Sequence, residues 1–390
     1  MYDLIGYGGM ISDRVRTASY ARALEHTITP ETTVLDIGTG TGLFAMLACR
    51  FGARHVYAVE PDDAIALARD IARDNGYERR ITFIQGRCED LSLSEPVDVI
   101  VSDIRGVLPL YAGSVQTIID ARQRLLAPEG VLIPLRDRLM AAPVDAQDLY
   151  DKHASPWMSH PYDLDMRAAQ RYAKNTWHKG RIRTEQLLAT PGCWAELDYA
   201  TVDSPHVKGH ASWLAQRCGT VHGVSVWFET ELAPGAGFSS GPDHPELVYG
   251  NAFFPLSEPV AVAEGDRIAL AMRADLVGEE YVWSWRTRIQ SAESAQDIKA
   301  AFDQSSFYGS PMFASERHKR AACHRPSLTE DGQVALTILR LMSERHKLQD
   351  IAQQICERFP HRFSDWSAAL NHVGRFSGDF SKTPSESRDE

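Results

Sequence analysis

The chain has 390 residues, 44% of them hydrophobic and 24% charged, and a formal net charge of −11. That length and composition fit a soluble protein of two or three domains. The acidic balance argues against a broad nucleic-acid footprint and against attraction to anionic lipid. Six scattered cysteines (Cys49, Cys88, Cys193, Cys218, Cys323, Cys356) make no C-x-x-C pair. Neither a disulfide framework nor a zinc site is indicated, and a reducing cytoplasm is the expected setting. The segment Met1-Tyr2-Asp3-Leu4 lacks the basic region and apolar core of a signal peptide. No uninterrupted apolar run is long enough to span a bilayer.

Residues 1–30 open with Tyr7, Met10, Asp13, Arg16, Thr17 and Tyr20 at helical spacing, backed by Val15, Ala18, Ala21 and Leu24. A helix here can fold over a ligand held by the strands that follow. Arg16 then either meets an anionic group through a bidentate contact or pairs with Asp13 on the helix surface.

An apolar run, residues 34–37, reads as a buried parallel strand. Gly38, Gly40 and Gly42 follow it, and Leu43 opens a helix. Strand, glycine turn and helix form a nucleotide-binding unit. The dinucleotide fingerprint spaces its glycines differently and places a pyrophosphate at the helix N-terminus. Here the third glycine comes one residue early, and Asp36 precedes the first. A carboxylate there repels a pyrophosphate and suits a cationic ammonium, such as the methionine end of S-adenosylmethionine. Glu60 closes a second strand, 56–60, about twenty residues on, where an acid takes ribose hydroxyls. The competing reading is a plain βα turn with incidental glycines.

Strand and helix go on alternating to residue 143. A helix over 63–76 leads to a strand at 81–84, and Cys88 and Glu89 lie just past its end. That edge is where open α/β sheets bind ligands. The Cys88 amide and the Glu89 carboxylate are placed to read adenine; a plain polar loop is the alternative. A strand over 97–103 delivers Asp103 to the same edge. A helix over 115–126 and a strand over 131–134 follow. Asp103 is the candidate to orient or deprotonate a methyl acceptor, against a structural role facing the cofactor. Tyr7 and Tyr111 are weaker candidates.

This half resembles the class I S-adenosylmethionine-dependent methyltransferases, and within them the protein arginine methyltransferases. Asp13-Arg14-Val15-Arg16-Thr17-Ala18-Ser19-Tyr20 matches that family's D-x-V-R-T-x-x-Y segment, with Met10 three residues ahead. The resemblance implies a Rossmann-like α/β domain with S-adenosylmethionine as cofactor. It assigns Arg16 to the cofactor carboxylate, Glu60 to the ribose and Glu89 to the adenine. Met10, Asp36, Gly38, Gly40, Gly42 and Cys88 complete the expected cofactor site.

Residues 144–295 change character. Tyr162-Asp163-Leu164-Asp165-Met166 resembles the start of the family's dimerisation arm, expected over about 156–178 and implying a homodimer. Strands with period-two patterning follow, at 224–229, 251–254, 267–272 and 281–286, with a Gly/Ser/Pro loop over 232–245. Together they resemble the family's β-barrel, whose aromatics are expected in its core. Residues 296–325 read as a basic, helix-prone linker. Residues 326–381 carry three apolar-periodic helices and resemble PqqD-like winged-helix domains, some of which bind a leader peptide by strand addition. No basic recognition helix is evident, so a DNA-reading role is disfavoured. Residues 382–390 read as a disordered tail.

The acceptor loop departs from the family. Its S-E-W-M-G-Y-x-x-x-x-E pattern holds a guanidinium between two glutamates. Here the first is Asp103 and the second is Ala112, while Arg105 adds a positive charge. The family's T-H-W loop aligns with Leu247-Val248-Tyr249, so its histidine is absent. His244 lies nearby in sequence without a geometric reason to replace it. Three functions follow. The favoured one is methyl transfer to nitrogen or oxygen of a small molecule or peptide in bacterial biosynthesis, with the C-terminal domain holding substrate or a partner. The others are arginine methylation with a degenerate clamp and a non-catalytic cofactor-binding regulator.

Overall fold

The computed structural model describes residues 4–158, 161–294, 296–310 and 325–381. The chain divides into two compact units, residues 1–311 and 312–390.

The first unit begins with two helices, α1 (Leu4–Ser12) and α2 (Arg14–Thr27). The single helical segment expected there is broken at Asp13. Its side chain accepts a hydrogen bond from the Arg16 amide and so caps α2. A parallel sheet follows: β1 (Thr33–Ile37), β2 (His55–Glu60), β3 (Ile81–Gln85), β4 (Val97–Ser102) and β5 (Leu126–Ile133). The connecting helices are α3 (Leu43–Arg50), α4 (Ala64–Asp74) and α5 (Ser114–Leu125). Strand order is β3-β2-β1-β4-β5. The order reverses between β1 and β4, which opens a crevice beyond their carboxyl ends. β1 is buried from Val34 onward, as its apolar run requires in a sheet covered on both faces.

The second layer pair is antiparallel. One sheet orders β7 (His178–Gly180), β12 (Asn251–Val262), β10 (Gly219–Ala233), β6 (Arg136–Val144) and β8 (Gly192–Asp198), with β11 (Ala236–Ser239) paired to β10. The other orders β15 (Ile298–Ser305), β14 (Glu280–Gln290), β13 (Arg267–Val277) and β9 (Val207–Leu214). The two close on an aromatic core. Phe254 of β12 meets Trp283 and Trp285 of β14 at ring-centroid distances of 5.4 and 5.1 Å, and Trp194 of β8 meets Trp283 edge-on at 6.2 Å. These aromatics are core, as expected. Between β6 and β7 lie α6 (Gln147–His153), several short turns and α7 (Gln170–Ala173).

Three boundaries differ from the sequence reading. β6 belongs to the antiparallel sheet, so the change of architecture comes between Ile133 and Arg136 and not at residue 143. The loop over 232–245 contains β11, paired to β10 through a turn at Gly235, where φ is +76°. The linker expected from 296 begins as β15, an edge strand on β14. Residues 311–324 of that linker, with its basic cluster, and the tail 382–390 lie outside the described residues.

The second unit contains α8 (Glu330–Ser343), α9 (Leu348–Arg358) and α10 (Trp366–Phe380). Val334, Ile338, Ile351, Ala352, Ile355, Ala369 and Val373 form its core. Thr329 caps α8 and Asp365 caps α10. A winged helix also needs a β-hairpin, and no strand occurs among the described residues after Ser305. The described residues of this unit form three helices, and the hairpin that a winged helix adds is not among them. The described residues contain no helix long and apolar enough to cross a membrane.

Candidate active site

A cavity of about 460 Å³ lies in the crevice. Four strand ends contribute to its wall: Gly38 after β1, Glu60 at the end of β2 with Asp62 beyond it, Cys88 and Glu89 after β3, and Asp103 and Arg105 after β4. Tyr7 and Met10 of α1 border it from the N-terminal side, and Tyr111 and Ala112 from the loop before α5. A recess of about 40 Å³, bordered by Tyr7, Met10, Gly38 and Asp103 as well, adds Arg16, Thr39 and Thr41.

Glu60 is fixed by two backbone amides. One oxygen accepts from Gly40 at 2.9 Å and the other from Asp62 at 3.0 Å. Gly38 has φ +70°, and a Cβ on it would stand 2.4 Å from Ile104. Gly40 has φ +54° and lies under Tyr7, whose ring would be 2.6 Å from an added Cβ. Gly42 packs against Ala68. Gly40 and Gly42 thus shape the turn without bordering either cavity. Glu89 accepts a hydrogen bond from Thr117 at 2.5 Å.

Asp36 takes a different place from the one expected. It borders neither cavity and is 1% exposed. One carboxyl oxygen accepts from the Thr39 hydroxyl at 2.6 Å and the Ala45 amide at 3.0 Å, while Oδ1 has no partner among the described residues. Burial, opposed by those two hydrogen bonds, raises its pKa to about 7. Asp36 holds the glycine turn from beneath; the expected direct approach to an ammonium is not observed.

Arg16 and Asp103 are brought together. Arg16 Nε donates to Asp103 Oδ2 at 2.6 Å, its Nη2 pairs with the same oxygen, and its Nη1 donates to the Met10 carbonyl at 3.2 Å. The alternative partner Asp13 meets only the Arg16 backbone. The Tyr249 hydroxyl lies 2.7 and 2.8 Å from the two Asp103 oxygens. Arg105 Nη1 donates to Asp103 Oδ1 at 3.2 Å. Burial alone would raise the Asp103 pKa, but Arg16, Arg105 and Tyr249 outweigh it and hold the carboxyl below its ordinary value. Held acidic in this way, Asp103 carries its charge at the acceptor end of the cavity.

Sequence reading missed the network behind Asp103. Arg105 Nε and Nη2 grip Asp137 at 3.0 and 2.9 Å, Nη2 reaches Thr230 at 2.9 Å, and Nη1 reaches Tyr20 at 2.6 Å. Tyr199 donates to Asp137 at 2.6 Å. One signal was present. Period-two patterning puts Asp137 on the same face of β6 as Leu139, an acid at an inward position. His244 is exposed and pairs with Asp243.

Residues 16–134 match the family of ribosomal protein L11 methyltransferase (PrmA), and residues 136–276 match the arginine methyltransferase oligomerization subdomain. Protein arginine N-methyltransferase 1 of Schizosaccharomyces pombe is 32% identical over 270 residues, covering 66% of this chain and 78% of that protein. A probable protein arginine N-methyltransferase 6 of Arabidopsis thaliana is 30% identical over 57% of this chain and 53% of its own length. The chain therefore spans only about half of that relative. Among solved structures, the Trypanosoma brucei PRMT1 enzyme–prozyme complex with AdoHcy aligns at TM-score 0.70 and 25% identity, covering 77% of this chain and 96% of that one. Arabidopsis thaliana protein arginine methyltransferase 10, in an open conformation, aligns at TM-score 0.69 and 25% identity, over 78% and 97%. By sequence and architecture together, the chain belongs to the protein arginine methyltransferase family.

Proposed function

We propose that the chain is an S-adenosylmethionine-dependent N-methyltransferase whose acceptor is carried by a protein or peptide. The observation that carries this reading is the cavity at the strand-order reversal, with Glu60 tied to the glycine turn on one side and Asp103 on the other. The residues fit the cofactor: Glu60 for ribose hydroxyls, Glu89 and the Cys88 amide for adenine, and Arg16 with Met10 for the amino-acid end. S-adenosylmethionine supplies an electrophilic methyl on sulfur; the acceptor's lone pair takes it, the sulfur keeps the S–C electron pair, and the acceptor proton leaves to water. The chain's own residues supply position and water exclusion. Tyr7 covers the turn, and α2 ties the Rossmann-like domain to the β-domain through Ser19–Gly237 and Arg16–Tyr249.

The relatives' names support a protein acceptor over a small molecule of a biosynthetic route. A second copy of the chain is the proposed partner, through the arm over 156–178. Calorimetric titration with S-adenosylhomocysteine tests the cofactor half: saturable heat is expected, and uptake of a nicotinamide dinucleotide in its place would sink it. Labelled-methyl transfer into a protein lysate, followed by mass spectrometry of the product, tests the other half.

A second reading has one observation in its favour. Ala112 stands where the family carries its second glutamate, and Asp103 is already paired. A chain that binds cofactor without turnover, serving as a companion subunit, would look the same. The solved Trypanosoma complex pairs an enzyme with a prozyme. Cofactor uptake with no labelled product would favour this reading.

A further inference from the structure

We propose that the outer face of the β9-β13-β14-β15 sheet is a docking surface for a short, acidic, extended segment of a partner protein.

These strands alternate buried and exposed residues, so one face closes on the aromatic core and the other meets solvent. The solvent face carries Lys208 on β9, Arg267 and Arg273 on β13, and Arg286 and Arg288 on β14. Register brings them together: Arg273 lies opposite Lys208, and Ala271 separates His210 from Arg286. The chain as a whole has a formal net charge of −11, so this concentration of cations runs against the general balance. Two acids on the face answer it, Asp275 paired with Arg273 at 2.5 Å and Asp303 with Arg286 at 2.6 Å. Lys208, Arg267 and Arg288 have no ion-pair partner among the described residues. Like charges directly opposite each other weaken a sheet, so the Arg273–Lys208 placement is a local cost that packing does not require.

The planar fork of arginine meets a carboxylate through two parallel hydrogen bonds. Small side chains, Ala269, Ala271, Ser284 and Ala301, fill the places between the arginines and leave the forks open to a ligand. Arg286 and Arg288 stand about 7 Å apart along β14, and alternate side chains of an extended peptide repeat at that same distance. Acids at every second position of such a segment therefore meet successive cations. The exposed pairs with Asp275 and Asp303 are weak and exchange readily for a partner's carboxylates.

The cationic area is bounded. Glu279 and Glu280 lie at one end of the strands, and Glu264 and Glu293 in turns at the other. Arg267 to Arg273 spans about 20 Å, the length of a short extended segment. A long polyanion such as a nucleic acid would run onto the flanking acids. The aromatic residues Trp283 and Trp285 are on the buried side, so the face offers no ring from β14 on which a base could stack. A short acidic peptide satisfies both limits. Glu279 also pairs with Arg87 of the cavity wall at 2.8 Å. A protein held at Arg273 therefore stands about 20 Å along β13 from that wall.

The test is fluorescence anisotropy of the full chain with three labelled probes: an eight-residue glutamate–serine repeat, a lysine–serine repeat of the same length, and a twelve-nucleotide oligouridine. Saturable binding of the glutamate probe alone is expected, weakening about tenfold as salt rises from about 50 to 300 mM. R286E/R288E should weaken it about tenfold or more, and the milder R286Q/R288Q about threefold. R79E/K152E makes the same change in net charge elsewhere on the surface as R286E/R288E and should leave binding within about twofold. No saturable binding of the glutamate probe, equal binding of the lysine probe, or an equal loss in R79E/K152E would overturn the inference. Tighter oligouridine binding that is lost in R286E/R288E would assign the face to nucleic acid instead. Undiminished binding of the glutamate probe by either Arg286/Arg288 variant, still melting cooperatively, would place the peptide elsewhere. None of these outcomes depends on the cofactor, so the methyltransferase reading stands or falls separately.

Discussion

Asp36 and Asp103 are both buried carboxyl groups, and their surroundings drive them in opposite directions. Asp103 has two guanidinium groups and a phenol; Asp36 has one hydroxyl, one amide and an unpartnered oxygen. With its pKa at about 7 against an ordinary 3.8, Asp36 favours the fold most when protonated. Its contribution is present in full below about pH 4 and is lost as pH rises to about 7. Asp36→Asn does not titrate and keeps an oxygen for Thr39 and Ala45. Its melting temperature, relative to the unaltered chain, should climb between pH 4 and 7 and then level off; a flat difference across that range would refute the assignment. Tyr249→Phe tests the other carboxyl. Removing a hydroxyl that donates to a buried charge should cost about 1.5–3 kcal/mol, read by urea denaturation. The role of Tyr249 was hidden in sequence because only an alignment position marked it, and its partner Asp103 lies 146 residues away.

At the scale of elements, α2 does three jobs through one short run. Asp13 caps it with one oxygen, accepting from the Arg16 amide, and receives the Val248 amide on the other at 2.9 Å. Arg16 and Tyr20 then reach the end of β4, where Tyr20 donates to the Ser102 carbonyl at 2.9 Å. Asp13→Ala should cost about 1–2 kcal/mol from the cap and leave the Val248 amide seeking water. The helix carries Arg16, so affinity for S-adenosylhomocysteine should fall with it. A variant with lowered stability and undiminished affinity would separate α2 from the cofactor site. The sequence pattern made this helix, the glycine turn and the strand ends at Glu60, Glu89 and Asp103 legible, because each is a local signal: a cap, a periodicity, a positive-φ glycine. What stayed illegible was which partner each side chain would choose. Arg16 could have paired with Asp13 three residues away; folding gave it Asp103 at a separation of 87.

Across the whole molecule, the parallel sheet was legible from its uninterrupted apolar strands, whereas β6 and β15 were not assigned to the antiparallel sheets. An edge strand such as β15 is exposed on alternate residues and looks like a polar linker in sequence. The three helices of the second unit were legible from their periodicity, which says nothing about an attached hairpin. The segment over 156–178 is where a second copy of the chain is proposed to pack. Met158 is 51% exposed, Leu164 61% and Tyr162 95%, all between α6 and α7. Large apolar side chains grouped in this way favour cover by another surface. A stable interface buries upwards of about 1,000 Å², and a charge at its centre goes unpaired when the partner's residues are apolar. Leu164→Asp should therefore convert a dimer to a monomer in sedimentation at micromolar concentration while leaving the melting of each chain's core intact. If the unaltered chain sediments as a monomer, or if the variant remains a dimer, the arm is not the contact, and these exposed residues must be covered in some other way.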